Sequence, residues 1–445
     1  MTTHPNLPIP PTIPILLLLL LLLLSSSHAG AQSSNNITAP PPSVPCGCIS
    51  PPPAASPSSE PQPSDFPNLK QYLAYKIIQR FKKTITCDPK NITAAWSGLL
   101  PCSYLGFFCE TPPGLTDTPT IASIDFNGFR LCAPTLSGFL DAFPDLALFH
   151  ANSNNFSGGV PDLSSLPFLY ELDLSNNNHS GAFPAAVLSL SQLVFIDLRF
   201  NRFAGTVPAS AFTLAAAVVL FLNNNLFSLQ LPADIGESPV SYLTLANNAF
   251  TGPIPRSIGN ASDTLLEVLF LNNLLSGCLP YEVGLLKSAV LFDAGFNRIT
   301  GPIPYSFGCL SSVEQLNLAG NLLYGTVPDV VCRLAKVGKL ENLSLSENYF
   351  TWVGHSCWGL IQSGVLDVRR NCIFGLPEQK PAAECVWFFA HHKYFCPLQL
   401  HIPSCLPHWG RNLTEASAGN SVTVPKGAAP ANYMSYSDRH QPVGN

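Results

Sequence analysis

Through the middle of the chain, apolar residues keep fixed distances from one another and from an asparagine. Leu169, Leu172 and Leu174 precede Asn177 by eight, five and three residues, and Val313, Leu316 and Leu318 stand in the same relation to Asn321. The asparagine recurs as Asn154, Asn177, Asn201, Asn225, Asn248, Asn273, Asn297, Asn321 and Asn348, at steps of 23 to 27 residues. The alternation around the paired leucines predicts one short strand per repeat. A fixed period in the twenties predicts a solenoid in which every repeat is one coil.

The frame is that of a leucine-rich repeat. After each asparagine most repeats add an apolar residue, a glycine, and an apolar residue joined to proline, as in Phe203-x-Gly205-x-Val207-Pro208 and Phe250-x-Gly252-x-Ile254-Pro255. This extension resembles the plant extracellular subclass. The fold expected is therefore an α/β solenoid, a right-handed leucine-rich repeat superhelix of about ten coils over residues 120–356, with disulfide-stabilised caps. The first coil carries Phe129 where the asparagine would fall. The leucines stack inward and the asparagines satisfy backbone groups at the turns, so both are structural rather than candidate sites.

Outside the repeats the pattern changes. Leu69, Leu73, Ile77, Phe81 and Ile85 recur every fourth residue among Lys70, Lys76, Arg80, Lys82 and Lys83. They predict an amphipathic helix in an N-terminal cap over residues 65–119, its apolar side on the first coil and its basic side in solvent. At the other end Trp352 replaces the repeat glycine, and Cys357, Cys372, Cys385, Cys396 and Cys405 follow. A C-terminal cap at 357–405 is the expected reading. The Pro- and Ser-rich stretch 32–64 and the tail 406–445 lack the apolar content for a core and are expected to be disordered. Residues 1–31, with an apolar run from Ile15 to Leu24 and the small residues Ala29-Gly30-Ala31, match a secretory signal peptide.

Composition narrows the setting. Fourteen cysteines suit an oxidising compartment. Seven Asn-x-Ser/Thr sites, Asn36, Asn91, Asn155, Asn178, Asn260, Asn342 and Asn412, are glycosylation candidates. A net charge of −5 argues against nucleic acid as a partner. No membrane span is expected. Cys102 and Cys109 are expected to pair, and Cys309 and Cys332 form a second candidate pair because they fall at nearly the same offset in successive coils. Cys385, His391, His392 and Cys396 have loose spacing, and secretion favours disulfides over zinc thiolates, so no metal and no cofactor are expected.

Candidate chemistry lies on the strand positions that flank the inward leucines, which face the concave side of such a solenoid. Glu171, Asp173, Phe195, Asp197, Arg199, Val219, Phe221, Tyr242, Leu269, Leu271, Leu291 and Asp293 form an apolar cluster with acidic borders, to which Glu267 also contributes. An exposed patch of that kind calls for a covering partner, here a basic and partly hydrophobic one. Asp173 and Asp197 on neighbouring strands should lie ~4.8 Å apart, close to the ~5–5.5 Å of a retaining glycosidase pair. An open strand face offers little burial to raise an acid's pKa, and Arg199 would hold both carboxyls ionised. Catalysis is therefore not expected.

Several stretches carry a closer resemblance: Leu146-Ala-Leu-Phe-His-Ala-Asn-Ser-Asn154, Phe195-Ile-Asp-Leu-Arg-Phe-Asn201-Arg-Phe-Ala-Gly-Thr-Val-Pro208, Leu269-Phe-Leu-Asn-Asn273, the cap sequence Cys102-Ser-Tyr-Leu-Gly-Phe-Phe-Cys109 and Arg370-Asn-Cys372. From about Leu69 to Cys396 the chain resembles the leucine-rich repeat extensins of plant cell walls. The resemblance implies a secreted cell-wall or apoplastic protein that binds basic, cysteine-containing rapid alkalinisation factor peptides. After Cys405 the Ser-Pro repeats of the extensins are missing, so an extensin-less relative without covalent wall anchoring is expected. Inhibition of a secreted polygalacturonase-type enzyme is the alternative reading, and noncovalent binding to wall polysaccharide a third.

Overall fold

A computed structural model describes residues 60–337, 339–392 and 396. The expected signal peptide, most of the Pro- and Ser-rich stretch, the tail, Asn36, Asn412 and Cys405 lie outside the described residues.

Most repeats contribute a three-residue strand to one continuous sheet, parallel except for its edge strand Phe107–Glu110, including Leu148–His150, Glu171–Asp173, Phe195–Asp197, Val219–Phe221, Tyr242–Thr244, Glu267–Leu269, Leu291–Asp293, Gln315–Asn317 and Asn342–Ser344. The register is in step throughout: Leu172 pairs with Ile196, Leu220 with Leu243, and Phe292 with Leu316. These central residues point inward and are buried almost completely. A second parallel sheet is built from the segments after the asparagines, among them Arg202–Gly205, Leu226–Gln230 and Arg298–Gly301. In most coils a short 3-10 helix then follows the proline, as at Arg256–Ala261 after Pro255 and Tyr305–Cys309 after Pro304.

The asparagines knit successive coils together. The Asn201 side chain donates to the carbonyls of Leu198 and Arg199 in its own coil (both 3.2 Å) and Leu174 in the preceding one (2.8 Å). Its Oδ1 accepts the His179 N–H at 2.9 Å. The same linkage recurs from Asn154 to Asn348, and once more at Asn371, which donates to Leu345 O at 2.9 Å and accepts from Phe350 N. The repeat therefore continues past residue 356 into the segment assigned from sequence to the C-terminal cap. Asn371 stands 23 residues after Asn348, and its strand is shortened to Leu366–Asp367. Behind the ladder runs a buried column of rings, Phe156, His179, Phe203, Phe227 and Phe250. Phe203 stacks on Phe227 at 6.2 Å and His179 on Phe203 at 6.1 Å.

The N-terminal cap differs from the expected pattern in one respect. The helix spans Leu69–Lys82, with Asn68 accepting the Gln71 N–H at its start. Its buried side is Gln71, Ala74, Ile78 and Phe81, while Leu69 and Leu73 are exposed. A strict four-residue period overshoots the 3.6-residue turn and drifts around the helix, so only its later members reach the core. Phe81 stacks on Phe139 at 3.8 Å, and Trp96 packs on Phe126 at 5.3 Å. The basic side is partly tied down: Lys70 pairs with Asp145 at 2.7 Å, and Arg80 donates to Gly138 O. Cys102–Cys109 and Cys87–Cys132 staple the cap.

Two expectations about the C-terminal cysteines need correction. Cys332 is bonded to Cys357 of the following coil and not to Cys309, which is itself disulfide-bonded. Similar offsets in successive coils do not ensure facing sulfurs; Cys332 sits in a short helix whose neighbour across the coil is the helix opening at Cys357. The second correction is that the last segment does not merely cover the open end. After the Cys372–Cys385 bond, the helix Ala382–His391 lies along the flank, with Phe388 stacked on Tyr349 at 3.6 Å. His392 then meets Thr300 at 2.8 Å, and Cys396 is bonded to Cys278. The segment is a strap that returns across several coils. Gly301 makes room for it, since a Cβ there would lie 2.5 Å from the Cys396 sulfur.

Candidate ligand-binding face

Strand register brings the predicted concave residues into two columns. Glu171, Phe195, Val219, Tyr242, Glu267 and Leu291 follow one another on successive strands, and Asp173, Asp197, Phe221, Thr244, Leu269 and Asp293 form the parallel column. Arg199 and Leu271 continue from the ends of two of these strands. The structure thus assembles the candidate residues on one face.

That face is less open than the sequence suggests. Phe195, Val219, Phe221, Tyr242, Leu269, Leu271 and Leu291 are all half-buried, and Asp197 and Glu267 are buried rather than standing at a rim. Side chains on strands only ~4.8 Å apart shield one another. Phe195 meets Phe221 edge-on at 6.0 Å, and the Arg199 guanidinium lies 5.0 Å above the Phe221 ring.

The electrostatics also differ from expectation. Arg199 Nε is 2.8 Å from Asp197 Oδ2, yet burial, reinforced by the charge of Asp173, pushes the Asp197 carboxyl well above the usual range despite the arginine. Burial likewise raises Glu267 and Asp293. At the N-terminal end of the face, His150 Nε2 is 2.8 Å from Glu171. Burial by itself disfavours the imidazolium, but the Glu171 hydrogen bond and charge, helped by Asp173 and Asp125, bring His150 above its ordinary value. Asp173 is held by the N–H and hydroxyl of Ser175.

A glycosidase pair is ruled out by access rather than by lack of burial. Asp197 has no exposed surface and faces its own arginine, so no glycosidic oxygen can reach it. Among the described residues, no group of three or more His, Cys, Asp or Glu side chains is placed to hold a metal ion. Of the glycosylation candidates, Asn91, Asn155, Asn260 and Asn342 are exposed, and Asn178 is half-buried on the second sheet. Asn342 lies on the concave side, lining a polar cavity of about 340 Å³ with Asp293, Gln315, Asn317, Ser344 and Asp367.

Known plant proteins are similar to this chain in sequence and in fold. No family model matches the chain. Leucine-rich repeat extensin-like protein 2 of Arabidopsis thaliana is 43% identical over 233 residues, which is 52% of this chain and 29% of that protein. Leucine-rich repeat extensin-like protein 6 of the same plant is 41% identical over 234 residues, 52% of this chain and 49% of that protein. Its homologues are plant leucine-rich repeat extensin-like proteins. The chain spans half or less of the length of these relatives. Among solved structures, a TDR receptor (TM-score 0.52, 24% identity, 56% of this chain and 43% of that one) shares the fold. So does the ectodomain of the Arabidopsis thaliana receptor kinase GASSHO1/SCHENGEN3 in complex with Casparian strip integrity factor 2 (TM-score 0.51, 21% identity, 68% and 44%). The disulfide pairs of the described residues fit an oxidising, extracellular setting. No helix among the described residues is long and apolar enough to cross a membrane.

Three features of the face and its supports do not follow from the repeat frame. Phe200 and Phe296, each directly before a ladder asparagine, are exposed. Their signal in the sequence is a Phe-Asn pair where four other repeats have Asn-Asn. His179 stands at a phenylalanine position of the buried column, and Asn371 keeps the repeat spacing amid cysteines.

Proposed function

We propose that this protein is an extracellular recognition module of the plant cell wall or apoplast that binds a basic peptide or protein segment on its concave face. The observation that carries the reading is the joined pair of strand columns, half-buried aromatic and aliphatic side chains beside Glu171, Asp173 and Asp293. The concave arginine beside them, Arg199, is committed to Asp197. Such a surface supplies apolar contact area and a negative potential together, and so favours a cationic, partly hydrophobic ligand. Rapid alkalinisation factor-type peptides, implied by the extensin resemblance, have that chemistry.

Calorimetric titration with a panel of those peptides tests the reading. Sub-micromolar binding that weakens with added salt and is lost in Phe221→Ala plus Asp173→Asn is the expected result. Asp173 is chosen over Asp197 because replacing the buried, arginine-paired carboxylate would disturb the fold. A folded, glycosylated sample that binds no member of the panel would overturn it, and inhibition of a polygalacturonase-type enzyme would become the reading to test.

A further inference from the structure

The residue before each ladder asparagine has a left-handed backbone, which glycine and asparagine tolerate and bulky side chains resist. Asn176, Asn224, Asn247 and Asn272 occupy this position with φ between 52° and 57°, and Gly320 with φ 64°. Phe200 and Phe296 occupy it with φ 54° and 52°. Neither ring is in the core: Phe200 is 37% exposed and Phe296 54%. The Phe296 ring lies over Gly320, where an added Cβ would meet it at 2.6 Å, so the next coil offers bare backbone beneath it. Two bulky residues thus combine an unfavourable backbone with exposed apolar surface, whereas the other long side chains of the column, Glu347 and Arg370, are charged.

Phe200 and Phe296 stand four coils apart, about 19 Å at ~4.8 Å per strand spacing. Asp293, on the strand of the Phe296 coil, is half-buried, while Glu267, one coil before it, is buried. The half-buried Asp293 and, one coil before Phe200, Asp173 favour a cationic occupant.

We infer that Phe200 and Phe296 are paired anchors for an extended, basic polypeptide segment that crosses the coils between them. This rests on the concave-face reading and adds to it a direction, along the solenoid, and a spacing. At ~3.3 Å per extended residue, the segment places two apolar side chains about six residues apart, with lysine or arginine between them.

The test compares Phe200→Asn, Phe296→Asn and their double mutant with Leu229→Gly in the full chain, using titration with the basic peptide panel and thermal melting. Leu229 is the internal control: it shares the left-handed backbone (φ 73°) and exposure (56%), but lies on the second sheet. The inference expects all three single substitutions to melt at or above the wild-type temperature, since each removes strain. The two phenylalanine variants should also lose affinity, about tenfold each. Leu229→Gly should bind as wild type. Unchanged affinity in the phenylalanine double mutant, with binding abolished by Phe221→Ala, would overturn the anchors and leave the concave-face reading standing. Absence of binding in the wild type would overturn both.

Discussion

The asparagine ladder and the column immediately before it run one residue apart through the same coils, under different constraints. Each ladder asparagine is held by donors and acceptors of two coils, and from Asn201 to Asn371 the side chains are buried or nearly so. The preceding position must adopt a left-handed backbone, but its side chain leaves the core. It holds Ser153, Asn176, Phe200, Glu347 and Arg370 among others. One column fixes how coils join; the other is free to vary in what it presents. In a solenoid, where each unit touches only its neighbours, this separation lets the outward surface change without loss of the repeat.

The largest expected effect comes from breaking the ladder. Asn201→Ala removes three donated bonds and strands the His179 N–H in a buried site, and should cost about 3–4 kcal/mol. Chemical denaturation measures it, and a loss under about 1 kcal/mol would contradict the structural role given to the ladder.

Next comes the strap. Gly301→Ala places a Cβ against Cys396 at a φ of 93°, so the Cys278–Cys396 bond should form poorly. Peptide mapping under non-reducing conditions reads the pairing directly; a fully formed bond would show that the segment has room to shift.

The buried ring column contains one titrating member. Burial drives the His179 pKa down to about 4, the Gly158 carbonyl bond offsetting only part of it. A histidine harder to protonate when folded favours unfolding as pH falls. Stability is full above the ordinary value near 6.5 and is lost progressively toward pH 4, by up to about 3 kcal/mol. His179→Phe, which completes the column of Phe156, Phe203 and Phe227, should remove that loss. His150 acts in the opposite sense. Its raised value contributes stability that is present at low pH and fades as pH rises through the folded pKa. In the His179→Phe variant the pH dependence of melting should therefore change sign or flatten; an unchanged profile would contradict the assignment.

The smallest effect is in the variable column. Phe200→Asn should raise stability by roughly 1 kcal/mol by relieving a left-handed bulky residue, and a clear drop in melting temperature would show that the ring does structural work.

Much of the fold is legible in the order of residues alone. The period sets the strands, the ladder and the inward leucines, because a repeat copies one solution and an irregular coil can be read from its neighbours. What the pattern does not carry is whatever one coil does alone or two distant coils do together. Asn371 is hidden among cysteines, and Cys278 meets Cys396 across a separation of 118 residues with no local signature. The columns of the candidate face are readable, but its openness is not. Burial of Asp197 depends on Arg199 and Phe221 covering it, a matter of packing between strands rather than of pattern along them.

Hydrogen exchange of the backbone amides with and without a bound basic peptide tests the central claim most directly. Recognition on the concave face predicts slowed exchange around Phe195–Asp197, Val219–Phe221 and Tyr242–Thr244, with the second sheet unchanged. Protection confined to the strap helix Ala382–His391 or to the second sheet would contradict it.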